Sequence, residues 1–238
     1  MVRTPPAPNG TATNERPAAK TGLTELGGGY RMIMTTTPTP YTLPDLPYSP
    51  DALQPVVSAQ IMELHHTKHH ATYVKQANEL TGKLIELAAT DDPSPLIRAL
   101  TFNLSGHVMH SLFWTSMTPN GSSPSSELAE EITSSFGSIE AMTKRMAMAA
   151  TKLSGSGWAV LSWDSIGQRL QISQVHDHQG EVMAGTTPLL VLDVWEHAYY
   201  LDYKSDRAAW AQKFFDIADW TSASSRFDDA RRLPLSAA

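Results

Sequence analysis

The segment Asp91-Asp92-Pro93-Ser94-Pro95 constrains this chain more than any other. Proline has no backbone N–H and disfavours helix in the residue before it, so two prolines so close together end one helix and start another. Upstream, residues 58–89 carry a helical pattern in Ile61, Leu64, His65, Tyr73, Leu80, Leu84 and Leu87. Downstream, Leu96 to Met117 repeats it with Leu100, Leu104, His107, His110 and Trp114. Two long amphipathic helices joined this tightly fold back on one another as an antiparallel hairpin.

The remainder reads differently. Thr118-Pro119-Asn120-Gly121-Ser122-Ser123-Pro124 has the composition of a linker. Helical patterns near 125–136 and 138–152 precede three strand-like runs at Trp158–Trp163, Leu170–Val175 and Pro188–Leu192. Asp164-Ser165-Ile166-Gly167-Gln168 joins the first two as a hairpin loop. Residues 198–224 read as helix again. The expected division is a helical-hairpin domain at 40–121, an α/β domain at 122–226 and a frayed tail at 227–238, which makes the chain α+β. Residues 1–39 are rich in Pro, Thr, Gly and Ala and read as a disordered leader. They lack the apolar core of a secretory signal, and their prolines argue against the amphipathic helix of the alternative, an organelle transit peptide, so a cytoplasmic protein is expected. Gly27-Gly28-Gly29-Tyr30-Arg31 precedes Met32, and translation is expected to begin at Met32 or Met34.

Composition excludes several functions. With no cysteine among its 238 residues, the chain has no disulfide, thiolate metal site or Cys nucleophile. A formal charge of −6 without a basic block gives no footprint for nucleic acid. The longest apolar runs are too short to span a bilayer.

What remains is a set of nitrogen and oxygen ligands. All nine histidines lie between residues 65 and 197. Leu64-His65-His66-Thr67-Lys68-His69-His70 holds four of them, and helical spacing puts His65, His69 and Tyr73 on one face. His107 and His110 are one turn apart. In Asp193-Val194-Trp195-Glu196-His197-Ala198-Tyr199-Tyr200 a carboxylate and an imidazole stand four residues apart among aromatic residues. Either helical cluster alone reads equally well as solvent-exposed histidines. The three segments together can converge on one borderline or hard metal ion.

Taken together, Tyr41–Tyr48, Ile61–Tyr73, Gly106–Trp114, Gly155-Ser156-Gly157-Trp158 and Asp193–Tyr203 resemble the iron/manganese superoxide dismutase family over roughly residues 41–226. The resemblance implies an N-terminal helical hairpin followed by an α/β domain with a three-stranded antiparallel sheet. It implies that one manganese or iron ion is held by His65, His110, Asp193 and His197. It also implies that superoxide is converted to dioxygen and hydrogen peroxide by ping-pong redox cycling, protecting against oxidative stress. His69 and Tyr73 match the family's gateway pair, and Trp158 and Trp195 its aromatic shell. His178 matches the residue that hydrogen-bonds solvent at the metal, with Gln179 as the alternative one position away. His176 reads as a surface side chain at a strand end. Glu196 and Tyr200 match residues that cross the interface of a homodimer or homotetramer. Lys68 and Arg207 are candidates to steer the anionic substrate inward.

The chain departs from the family pattern at Met109, where Asn is usual, at Ser154, where Gln is common, and in Tyr200-Leu201-Asp202-Tyr203-Lys204-Ser205. None of these removes a ligand, whereas missing ligands would mark a catalytically dead relative. A non-haem oxygenase, the other competing class, needs two His, one carboxylate and open positions. The third His and the aromatic shell argue against it.

Overall fold

Ser58 opens the helical hairpin: its Oγ accepts from Ile61 N at 3.3 Å and caps helix α1, Ala59–Leu64. A computed structural model describes residues 40–232, and the expected leader at 1–39 and the last residues of the tail lie outside them. Helix α1 runs into a π-helical stretch, His65–His70, and then α2, Ala71–Glu86. The backbone N–H of Ala71 reaches back to His66 O, the five-residue step of a π turn. The helix expected over 58–89 is therefore continuous in direction but wider at the histidines. Asp92 Oδ1 accepts from Ser94 N at 2.9 Å and starts α3, Ser94–Trp114, which returns against α2.

The second part begins with α4, Ser126–Phe136, and α5, Ile139–Lys152, each capped by the serine before it. Strands β1 (Gly157–Asp164), β2 (Arg169–His176) and β3 (Thr186–Asp193) form one antiparallel sheet in the order β2-β1-β3. The chain thus has the N-terminal helical hairpin and the three-stranded antiparallel sheet that its sequence implied. Central β1 is buried from Gly157 to Trp163, which explains its unbroken apolar run. Between β1 and β2, Asp164 Oδ1 accepts from Ile166 N and Gly167 N, an Asx turn.

Two expectations need correction. Residues 198–224 are not one helix. A 3-10 turn at Glu196–Ala198, α6 (Tyr200–Tyr203), α7 (Arg207–Lys213), a 3-10 turn at Phe214–Asp216 and α8 (Trp220–Arg232) follow one another. Lys204 takes a positive φ of 54° where α6 ends, and Asp206 caps α7, so the chain is redirected twice in a few residues. Nor is the tail frayed from residue 227. Phe227 and Ala230 are buried and α8 continues to Arg232, because its apolar face still has core to cover.

The end of α3 and strand β3 are tied directly. Ser116 Oγ accepts from Val191 N at 3.2 Å and so occupies a free donor on the sheet edge. Arg226, on α8, donates to Leu189 O at 2.7 Å, to Thr115 O at 3.2 Å and to Thr115 Oγ1. Phe113, Trp114, Trp158, Trp210 and Phe214 fill the core beside these ties.

Candidate metal centre

Strand β3 ends at Asp193, and the chain then holds that carboxylate in one orientation. Trp195 N donates to Asp193 Oδ1 at 2.8 Å, and Trp210 Nε1 donates to the Asp193 carbonyl at 2.7 Å. Oδ2 is left facing inward. One turn later the 3-10 segment brings His197 Nε2 to 3.3 Å from it. His65, the first residue of the π segment, places Nε2 at 3.2 Å, and His110, on α3, at 3.9 Å. Ligand atoms of these four residues lie within 4.8 Å of one another.

Two of the three imidazoles have buried nitrogens without a hydrogen-bond partner. His110 Nδ1–H donates to Gly106 O at 2.6 Å, which leaves Nε2 as a bare lone pair. His110 Nε2 and both ring nitrogens of His65 are buried without a hydrogen-bond partner. Burial, then the neighbouring His197, holds His65 down to about 4, and burial holds His110 well below the ordinary imidazole value. Burial pushes the Asp193 carboxyl upward, but the imidazoles of His197 and His65 outweigh it and keep the acid ionised. His110 thus turns a bare Nε2 lone pair toward the buried carboxylate, and His65 and His197 bring their Nε2 atoms to the same oxygen. A cation between them resolves that arrangement, and three N donors with one O donor suit manganese or iron.

Aromatic rings close the surroundings. The Trp114 ring meets His65 at 4.8 Å, Trp158 meets His110 at 5.1 Å, and Trp195 stacks beside His197 at 5.5 Å. His178 lies between Trp195, stacked at 4.6 Å, and Tyr73, edge-on at 4.6 Å. Trp158 Nε1–H donates to His178 Nδ1 at 3.1 Å. An indole only donates, so Nδ1 carries no proton and His178 keeps its hydrogen on Nε2. That Nε2–H is buried without a partner. Burial holds His178 down to about 4, so it stays neutral. Gln179 uses its Oε1 to accept from His178 N at 3.2 Å.

His69 is exposed and stacks on His197 at 4.2 Å, whereas Tyr73 is half-buried beside His110 at 5.1 Å. Burial raises the Tyr73 hydroxyl and lowers His69. The wider π turn separates these two from the strict single face that α-helical spacing predicts. Lys68 is exposed on the same segment. Arg207 is not free to steer an anion. It donates to Leu153 O, Gly155 O and Tyr199 OH and pins the loop before β1 to α7. His176 ends β2 and faces Glu181 at 2.9 Å. Glu196 and Tyr200 are exposed, and among the described residues the Glu196 carboxylate makes no hydrogen bond or ion pair.

The departures from the family pattern settle without disturbing the site. Met109 is buried in the core, Ser154 is exposed, and Asp202 Oδ2 accepts from Ser58 N at 2.8 Å. Two residues of the site escaped the sequence reading. A Cβ on Gly106 would stand 2.9 Å from the Tyr73 ring and 3.2 Å from His178 Cδ2, so glycine alone lets both rings close in. Phe102 packs on His178 at 4.9 Å and on Tyr73 at 5.9 Å. Phe102, Gly106 and His110 recur every four residues, a helical face that marks both.

Two family models match the chain: the alpha-hairpin domain of iron/manganese superoxide dismutases over residues 40–118, and their C-terminal domain over residues 124–226. An iron superoxide dismutase of Mycobacterium tuberculosis (strain ATCC 25618 / H37Rv) is 47% identical over 191 residues, covering 79% of this chain and 92% of that protein. A Mn/Fe superoxide dismutase of Propionibacterium freudenreichii subsp. shermanii is 45% identical over 197 residues, covering 80% and 98%. A manganese superoxide dismutase of Mycolicibacterium smegmatis is 46% identical over 191 residues, covering 79% and 92%.

Proposed function

The chain belongs to the iron/manganese superoxide dismutase family, and on that premise we propose that His65, His110 and His197, through Nε2, and Asp193, through Oδ2, are the metal ligands of a superoxide dismutase. A bound manganese or iron ion, one per chain, supplies the one-electron redox chemistry that turns superoxide into dioxygen and hydrogen peroxide. The observation that carries the ligand assignment is the approach of three imidazole Nε2 atoms to one buried carboxylate oxygen.

The side chains around the ion manage protons and water. Each peroxide takes up two protons. Tyr73 carries its hydroxyl proton at neutral pH, burial raising its pKa further, and it serves as a hydrogen-bond donor beside His110. His69, exposed and against His197, passes protons in from solvent. His178 offers Nε2–H to an anionic oxygen, with Trp158 fixing the tautomer that makes this possible. Trp158, Trp195 and Phe102 exclude bulk water, which strengthens those hydrogen bonds.

We also propose the two-domain division at residues 40–121 and 122–226 and a cytoplasmic location. No helix of the described residues is long and apolar enough to cross a membrane. The assembly proposed is a homodimer, or a homotetramer of two such dimers. An exposed carboxylate one residue from a ligand, followed by exposed Tyr200 and Leu201, suits a two-fold contact. There Glu196 would accept a hydrogen bond from the partner's His197.

Elemental analysis and a superoxide-consumption assay on wild type and His197→Ala test the site. Wild type should hold one Mn or Fe per chain and be active. The variant should hold little metal and be inactive, and full occupancy with wild-type activity would overturn the assignment.

A further inference from the structure

Three histidines on the ligand-bearing helices, His66, His70 and His107, are neither metal ligands nor part of the proton path. They are hydrogen-bonded in a fixed direction. Trp114 Nε1–H donates to His70 Nδ1 at 2.8 Å, and His70 Nε2 meets His107 Nδ1 at 2.8 Å. Because an indole cannot accept, His70 Nδ1 is bare and its hydrogen is on Nε2. His70 therefore donates to His107 Nδ1, and His107 carries its own hydrogen on Nε2. His66 Nε2–H donates separately to Pro44 O at 2.8 Å and holds the entry segment down.

His70 is wholly buried, between one ligand and the indole that backs another. Its ring stacks on His110 at 5.4 Å with 24° between planes. The indole it holds by the N–H packs edge-on against His65 at 4.8 Å. One side chain thus supports both ligands of the helical hairpin, one by direct stacking and one through Trp114. The π turn makes this possible, because it sets His65 and His70 five residues apart with both buried.

We infer that His70 is a positioning residue for the metal centre, fixing the ring orientation of His110 by stacking and that of His65 through the tautomer that holds Trp114. The inference rests on the four-ligand reading above. Groups that orient metal-bound histidines typically change affinity about 10- to 100-fold when removed. His70→Leu deletes both hydrogen bonds. His70→Gln keeps them, because an amide oxygen can accept from Trp114 and an amide N–H can donate to His107. Trp114→Phe keeps the ring against His65 but removes the N–H, and stands in if His70→Leu does not fold.

The test measures release of Mn from the loaded full-length protein into a chelator well below the melting temperature, the Mn electron paramagnetic resonance spectrum, and melting of the metal-free forms. His70→Leu and Trp114→Phe should release Mn about tenfold faster than wild type with an altered spectrum, and His70→Gln should stay within about twofold. Lower melting temperatures with unchanged release and spectrum would reduce His70 to a packing residue and overturn the inference. So would a His70→Gln variant as impaired as His70→Leu. Wild type that binds neither Mn nor Fe would overturn the four-ligand reading itself, and this inference with it.

Discussion

Asp193 illustrates how much of the site can be read from single residues. A carboxylate four residues before a histidine, with two further histidine clusters upstream, already suggested a shared ion. What spacing could not reveal was which atoms face inward. That depends on backbone donors such as Trp195 N–H and on donor-only partners such as Trp158, which fix oxygen and tautomer choices through contacts distant in sequence. Gly106 was hidden for the same reason, because its importance lies in what a side chain would strike. Gly106→Ala should press on both Tyr73 and His178 at once. Displacing positioned groups by under an ångström can cost about tenfold or more in rate, while overpacking costs roughly 1–3 kcal/mol. The expected outcome is a protein with near-normal metal content, a lower melting temperature and about a tenth of the activity, read by elemental analysis beside the superoxide assay. Unchanged activity would show that the two rings have room to spare.

Among the elements, the long regular ones were the most legible. The Pro93–Pro95 break, the serine caps and the alternation from central to edge strand all act locally, so α2, α3 and the three strands stand close to their expected limits. The π stretch at His65–His70 and the broken run from Glu196 to Trp220 were not legible. Both are tertiary outcomes, in which local helix preference yields to bringing ligands and core side chains into place. Ties between elements far apart in sequence were equally hidden. Arg226 gives its donors to carbonyls at the end of α3 and on β3, the elements that carry His110 and Asp193. Hydrogen bonds from a charged donor are worth about 1.5–3 kcal/mol, so Arg226→Met should destabilise the metal-free protein by about that amount. Chemical denaturation measures it, and a loss below about 0.5 kcal/mol would mean that these bonds add little.

For the molecule as a whole, buried neutral imidazoles set the response to acid. His65 and His178 are held down to about 4 and His70 to about 3, against an ordinary value of 6.5. Between those values the unfolded chain binds protons that the folded chain refuses, so stability rises with pH across that window. The metal-free protein should be most stable above about pH 6.5 and melt at progressively lower temperature as the pH falls toward about 4. A melting temperature that is flat over that range would contradict the assignment of these rings as buried and neutral. Assembly belongs to the same scale. With Glu196 exposed beside Tyr200, Glu196→Ala should shift the protein toward monomer and lower its activity. Light scattering over a dilution series checks this, and a wild type that is monomeric and fully active would refute the dimer.

Three of the six tryptophans touch candidate ligand rings: Trp114 at His65, Trp158 at His110 and Trp195 at His197. Packing that keeps water out also gives the protein an optical signal. Light absorbed by these indoles is released within a few ångströms of the place an open-shell ion would occupy, where it is readily lost to the metal. Ultraviolet emission should therefore dim as manganese or iron is added and level off at one equivalent, so that the brightness of an unlabelled sample reads out the fraction of sites filled.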